Sequence, residues 1–224
     1  MTDDELAQLV DDNPVLFHMA ERGSWNSIHK HGLLSTSALL DLFGVCGPDR
    51  KLIESCRRPE SVTIERKEIG SAVIRDQKPM DDQGLNRCLQ DGLTPREWYE
   101  ILNARVFFWL TRSRVLRLLT ARAYKDAEHD VLEIDTAPLV ATYQQQITLA
   151  PINTGATKPM PAPRGRSTIV SIADYDYAGR LQTHAREPVV ELAVTPGVPN
   201  IKDFVRRVVV MRGEVEISEV WRRH

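Results

Sequence analysis

Pro188-Val189-Val190-Glu191-Leu192-Ala193-Val194 is an apolar strand with an ionisable residue at its centre. Glutamate is almost never buried in such a run without a partner or a task. The alternative, an edge-strand glutamate facing water, stays open from these residues alone. Two further runs have the same extended, core-type composition. Val15-Leu16-Phe17-His18 carries one polar residue, and Val106-Phe107-Phe108-Trp109-Leu110 is the densest aromatic cluster of the chain. Three such strands can converge on one cleft.

The 224 residues, 42% hydrophobic and 27% charged, suffice for one domain with a sizeable core, taken as residues 1–224, and exclude a disordered composition. A formal charge of -2 argues against indiscriminate polyanion binding. Local basic clusters nevertheless occur at Arg112, Arg114, Arg117, Arg122 and at Arg206, Arg207, Arg212. No apolar stretch is long enough to cross a membrane and the start is not of the secretory kind, so a cytoplasmic protein without a membrane partner is expected. Cys46, Cys56 and Cys88 lack zinc-site spacing and read as reduced thiols.

Around the three runs, helices and strands alternate irregularly, which predicts an α+β fold rather than a regular parallel sheet. Residues 2–12 read as a short acidic helix. Ser24 is placed to cap a helix through Trp25, Ile28 and His29 that stops at Gly32, and Leu33-Leu34-Ser35-Thr36-Ser37 then reads as a tight turn. Residues 44–66 read as a loop or weak helix. Thr94-Pro95-Arg96-Glu97 forms a capping box that starts a helix carrying Trp98, Ile101 and Leu102 inward. Thr111 is placed to cap a basic amphipathic helix with Val115, Leu118, Leu119 and Arg122 at helical spacing. Further strands are expected at 131–134 and 147–149, a long loop over 151–167, and a closing hairpin from Val208 to Val220 that turns at Arg212-Gly213, with Val215, Ile217 and Val220 on one side.

The chain holds no GxGxxG after a strand, no GxxxxGK[ST], no HExxH and no GxSxG. His29 and His31 lie two apart, point to different sides of a helix and do not chelate one ion readily, so no metal is expected.

Leu16-Phe17-His18, Ser27-Ile28 and His31-Gly32-Leu33-Leu34 are similar to the opening of DarT-type ADP-ribosyltransferases. Arg105-Val106-Phe107-Phe108-Trp109-Leu110-Thr111-Arg112-Ser113 resembles their aromatic strand and basic turn, and Val190-Glu191-Leu192-Ala193-Val194 with Val198-Pro199 resembles the strand of their catalytic glutamate. The three segments occur in the same order. The resemblance implies an ADP-ribosyltransferase-like split β-sheet core with flanking helices, and a relative of the DNA ADP-ribosyltransferase toxins. NAD would be the co-substrate and single-stranded DNA or RNA the candidate acceptor, with an antitoxin or immunity protein as candidate partner.

Under that resemblance Glu191 and Arg75 are the candidate catalytic residues, with Arg66 and Arg87 as alternatives to Arg75. His18, Gly32, Leu33, Ser35, Phe108, Trp109 and Arg112 are the candidate NAD-binding residues. Cleaving the nicotinamide–ribose bond develops positive charge on the sugar, which a carboxylate stabilises. An aromatic wall stacks the planar nicotinamide, and arginine forks suit the pyrophosphate. Because strand side chains alternate, only one or two of Phe107, Phe108 and Trp109 can face the cleft. Asn153-Thr154-Gly155-Ala156-Thr157 resembles a substrate-facing loop in position. Two departures, Trp109 in the aromatic strand and an acidic preceding loop with Asp76, Asp81, Asp82 and Asp91, bear on the acceptor. Rival readings are a non-catalytic nucleotide- or partner-binding module, a protein ADP-ribosyltransferase, and an RNA 2'-phosphotransferase, whose basic residue set is not clearly present.

Overall fold

The computed structural model describes residues 1–223. In chain order the first half runs α1 (Asp3–Asp12), β1 (Val15–Glu21), α2 (Trp25–His31), β2 (Leu33–Leu34), α3 (Thr36–Phe43), α4 (Gly47–Glu54), β3 (Val62–Arg66), β4 (Gly70–Ile74), α5 (Asp82–Cys88) and α6 (Pro95–Asn103). The second half runs β5 (Val106–Trp109), α7 (Arg112–Leu119), β6 (Glu128–Asp135), α8 (Thr136–Tyr143), β7 (Ile147–Ala150), β8 (Val170–Ser171), α9 (Tyr177–Thr183), β9 (Glu191–Val194), β10 (Gly197–Val198), β11 (Val205–Arg212) and β12 (Val215–Arg222). Helices mix with antiparallel strands and no crossover unit repeats, so the class is α+β.

The main sheet has eight strands in the order β12-β11-β6-β1-β5-β9-β7-β8. Strand β1 pairs with β6 along its whole length, from Val15–Asp135 to Glu21–His129. On its other side it meets β5 at Phe17–Trp109 alone. Continuing that register would set Met19 opposite Phe107, where two ladder bonds would form. Instead the strands part. The Phe107 carbonyl lies 2.8 Å from the His18 Nδ1, and the Met19 carbonyl accepts from the Arg75 Nη1 at 3.3 Å. Two side chains thus do what a ladder would otherwise do for buried backbone carbonyls.

One face of the sheet buries Leu16, Phe108, Leu132, Ile134, Leu149, Leu192, Val194 and Val208 in the main core. The opposite face carries Phe17, Met19, Val131, Val209 and Met211 against Val115 and Leu119 of α7. The capping box expected at Thr94 forms with Glu97 and starts α6, and a second one, Thr2 with Glu5, starts α1.

Several sequence expectations are corrected. Ser24 does not cap α2, because its own backbone is already helical and its hydroxyl has no partner. The cap comes from Asp130 of β6, which accepts from the Gly23 and Trp25 amides at 3.0 and 3.2 Å and from Arg22 at 3.1 Å. Leu33 to Ser37 is not a turn. Leu33 and Leu34 pair with β10, and the Ser35 hydroxyl accepts from the Ala38 amide at 3.2 Å to start α3. Residues 44–66 hold α4 and β3, and β3 forms a hairpin with β4 around Leu40, Phe43, Ile53, Ile64, Ala72 and Ile74. Helix α7 ends at Leu119, so Arg122 lies beyond it, and the Thr111 hydroxyl meets Ser113 instead of capping. The closing hairpin turns at Gly213, but Val215, Ile217 and Val220 are exposed because β12 is the edge of the sheet and is interrupted by irregularities of register.

Because Asp130 is fully buried and satisfies three donors, Asp130→Ala is expected to lower the unfolding free energy by about 3 kcal/mol. Ser24→Ala should change it by less than about 0.5 kcal/mol. Urea unfolding of both variants measures this, and the reverse ranking would return the cap to Ser24.

Candidate active site

Where β1 and β5 part, a cavity of about 310 Å³ opens. Its walls come from β1, the α2–β2–α3 corner, the segment after β4, β5, the turn after α7, and the loop after β7. Seven of the sequence-derived candidates line it: His18, Gly32, Leu33, Ser35, Arg75, Trp109 and Glu191. They come from four distant stretches of chain.

Glu191 begins β9, opposite Trp109 on β5 and Ala150 on β7, and is only 4% exposed. The water-facing reading of Glu191 therefore falls. Its Oε2 accepts from the Thr154 amide at 3.1 Å and the Thr154 hydroxyl at 2.6 Å. Burial nevertheless pushes its carboxyl up to about 7, with the two Thr154 bonds opposing that rise. The group is therefore poised to gain or lose a proton near neutrality.

His18 is held below its ordinary range, at about 4, chiefly by burial. The ring is neutral at physiological pH. Since the Phe107 carbonyl can only accept, Nδ1 carries the proton and Nε2 keeps a lone pair for a hydroxyl donor.

Arg75 follows β4 and stands 5.0 Å over the Tyr124 ring. Its Nε is 3.6 Å from Glu21 Oε1, and neither Nε nor Nη2 has a hydrogen-bond partner among the described residues. Both nitrogens are buried and face carboxylates, Nη2 lying 3.9 Å from Asp76 Oδ2, so what Arg75 brings to the cavity wall is positive charge. The backbone of Arg75 is fixed by Arg58, whose Nε donates to the Arg75 carbonyl at 3.0 Å and whose Nη2 donates to Asn103 Oδ1 at 2.9 Å. Arg58 and Arg105 also line the cavity. Sequence reasoning assigned a role to neither: Arg58 sits in no patterned stretch, and Arg105, although it opens the aromatic-strand stretch, carries no signal of its own there. The alternatives to Arg75 fall away: Arg66 lies near Glu68 and the Leu42 carbonyl, Arg87 is exposed on α5, and neither lines the cavity.

Two candidates are corrected. Phe108 is 1% exposed and packs in the main core, because alternation along β5 turns Phe107 and Trp109 to the cavity instead. Arg112 lies at the start of α7, outside the cavity, with Nη1 3.5 Å from Glu133. Gly32 and Ser35 act on the wall itself. Gly32 has φ +88°, and a Cβ there would fall 2.5 Å from Pro199 Cα. The Ser35 hydroxyl is taken by the α3 cap. The residue that grips Glu191, Thr154, sits in the stretch singled out as a substrate-facing loop, although its role there is to hold the carboxyl.

One cleft of this α+β protein thus gathers a buried carboxyl that titrates near neutrality, a neutral histidine and three arginines, Arg58, Arg75 and Arg105. The chain belongs to a family of unknown function (DUF7002), whose profile matches residues 14–205. No curated protein matches the chain. Among the described residues no group of three or more His, Cys, Asp or Glu side chains is arranged to hold a metal, and no helix is long and apolar enough to cross a membrane.

The Glu191 carboxyl titrates higher in the folded protein than its ordinary value of 4.5. Between those two values the folded state keeps a proton that the unfolded state has lost, so stability falls as pH rises through that window. Glu191→Gln removes this dependence. Relative to wild type, the glutamine variant should gain about 2 kcal/mol of stability between pH 5.5 and pH 8, measured by denaturant unfolding. Parallel curves for the two proteins would place the Glu191 carboxyl in its ordinary range.

Proposed function

We propose that this chain is an NAD-dependent ADP-ribosyltransferase that transfers ADP-ribose from NAD to a nucleic-acid acceptor, in the manner of a toxin or defence enzyme with a split-sheet core of the ADP-ribosyltransferase kind. The observation that carries the reading is the meeting of His18, Arg75, Trp109 and Glu191 at the place where β1 and β5 part. The resemblance to DarT-type enzymes draws His18, Trp109 and Glu191 from three separate motifs, Trp109 being a departure within its motif, and Arg75 from the stretch between the first two, and nothing in their spacing along the chain requires them to share a cavity.

The chemistry of the residues supports it. Loss of nicotinamide breaks the C1'–N bond and leaves positive charge on the ribose, which the buried Glu191 offsets when ionised. The acceptor then forms the new bond to C1' and gives up its proton. A carboxyl that titrates near neutrality is suited to receive it. The His18 Nε2 accepts from a ribose hydroxyl. Trp109 and Phe107 line the cavity with aromatic surface for a planar ring, and the positive charge of Arg75 on the same wall favours a pyrophosphate.

The basic face expected for a polyanionic acceptor is narrower than the sequence suggests. Arg114 is held in a two-point pair with Glu187, with Nε 2.9 Å from Oε1. Arg117, Arg122 and Lys125 are exposed and flank Leu118 and Tyr124, which line the cavity. These three are the exposed cations of that face available for phosphate contacts.

Incubated with NAD and single-stranded nucleic acid, the wild type should release nicotinamide, at a rate that rises with pH through about 7 as Glu191 ionises. Glu191→Gln should keep the fold and NAD affinity while losing roughly a hundredfold or more in rate. Saturable NAD binding without release would make the chain a binding module.

For the acceptor, Arg117→Gln with Arg122→Gln should flatten the salt dependence of nucleic-acid modification and leave NAD binding unchanged. Label from NAD found wholly in nuclease-resistant protein would move the assignment to protein ADP-ribosylation.

A further inference from the structure

Glu191 and Arg164 are both buried ions, 4% and 1% exposed, and among the described residues neither lies in a direct salt bridge. Thr154, itself 1% exposed, stands between them. Its amide and hydroxyl donate to Glu191 Oε2 at 3.1 and 2.6 Å, while its carbonyl accepts from Arg164 Nη1 at 2.8 Å and from Trp98 Nε1 at 3.3 Å. On the same loop Arg164 Nη2 donates to the Ala156 carbonyl at 2.9 Å and Nε to the Ala162 carbonyl at 3.1 Å, and the guanidinium also lies beside the Cys88 side chain of α5. Its backbone is fixed in turn, the amide donating to the Cys88 carbonyl at 2.9 Å.

Every donor named here ends on a neutral carbonyl, which leaves the Arg164 charge without a touching counter-ion. A buried cation in that state is costly unless an anion lies close. Glu191, one residue's width away through Thr154, is that anion, and each charge eases the ionisation of the other. Only Oε2 is bound. Oε1 accepts no hydrogen bond among the described residues, which leaves that oxygen for chemistry in the cavity that Glu191 lines.

We propose that Thr154, strapped in place by Arg164, is the positioning residue for Glu191: it anchors one carboxylate oxygen, presents the other to the cavity, and relays the Arg164 charge that favours ionisation. The consequence for rate rests on the transferase reading; the consequence for ionisation does not. The other charged groups facing Glu191 are Arg114 of α7, already paired with Glu187, and, around the cavity, Arg58, Arg75, Arg105, Glu21 and Asp76, with neutral His18 between the strands. The neighbours on β5 and β7 are the uncharged Trp109 and Ala150.

Thr154→Val removes the hydroxyl and keeps the shape and the charge count, and Thr154→Ser restores the hydroxyl. Carboxyl ¹³C labelling of glutamate in the whole protein, with the Glu191 signal identified by its loss in Glu191→Gln, reads the titration without any substrate. The valine variant should titrate about one pH unit higher than wild type, a tenfold smaller ionised fraction on the acid side, and the serine variant should match wild type. Arg164→Gln should move the midpoint in the same direction. If that variant does not fold, the Thr154 pair alone decides the matter. A folded valine variant that titrates like wild type, or a serine variant shifted as far as valine, overturns the proposal, and a folded Arg164→Gln protein with an unmoved midpoint removes Arg164 from it.

In nicotinamide release the same shift should appear as a kcat lost at pH 6 and recovered at pH 9, with KM for NAD unchanged. A wild type that releases no nicotinamide defeats the transferase reading, while the carboxyl titration still decides the role of Thr154.

Discussion

The site depends on one interruption in a ladder of hydrogen bonds. Strands β1 and β5 pair at Phe17–Trp109 and then part, and the carbonyls of Phe107 and Met19 are taken up by the imidazole of His18 and the guanidinium of Arg75. A sheet edge left open inside a protein is costly unless its polar groups are satisfied. Here the groups that satisfy it are the same groups that face the cavity, so the opening is maintained by the residues that would use it. Polar side chains at those two positions are what the fold needs as well as what the chemistry needs.

The cleft also concentrates groups that would be unfavourable elsewhere. Glu191 is pushed up to about 7 and His18 down to about 4 by the same cause, loss of water. The two shifts have different outcomes: the carboxyl sits at its point of change near neutrality, and the imidazole is fixed in its neutral form. A proton-exchanging group beside a constant hydrogen-bond acceptor is a workable division of labour for breaking a glycosidic bond.

Much of this was legible in the sequence where residue type and periodicity act locally. The capping box at Thr94, the strand around Glu191 and the α+β class could be read from short windows, whereas His18, Arg75, Trp109 and Glu191, which line the cavity, were assigned to one site by the resemblance to DarT-type enzymes and not by periodicity. The failures share a cause, which is that the partner lies far off in sequence. Asp130 caps α2 from 107 residues beyond Gly23, and no local pattern announces that it displaces Ser24. Alternation limits how many of Phe107, Phe108 and Trp109 reach the cavity, but not which parity faces it; that is set by the Trp109–Glu191 register. Arg114 reads as part of a free basic face until Glu187, 73 residues away, is seen to neutralise it. The hairpin of β3 and β4 was hidden because β3 is short, charged and mostly exposed and β4 opens on Gly70-Ser71, so that only Ile64, Ala72 and Ile74 of the pair are buried.

The most direct test of the split as a dinucleotide site is a crystal structure of Glu191→Gln grown with NAD. The dinucleotide is predicted to lie between β1 and β5, with a ribose hydroxyl within hydrogen-bonding reach of the His18 Nε2 and a planar ring against Trp109. NAD bound elsewhere, or a sheet zipped shut by ladder bonds between Met19 and Phe107, would contradict it.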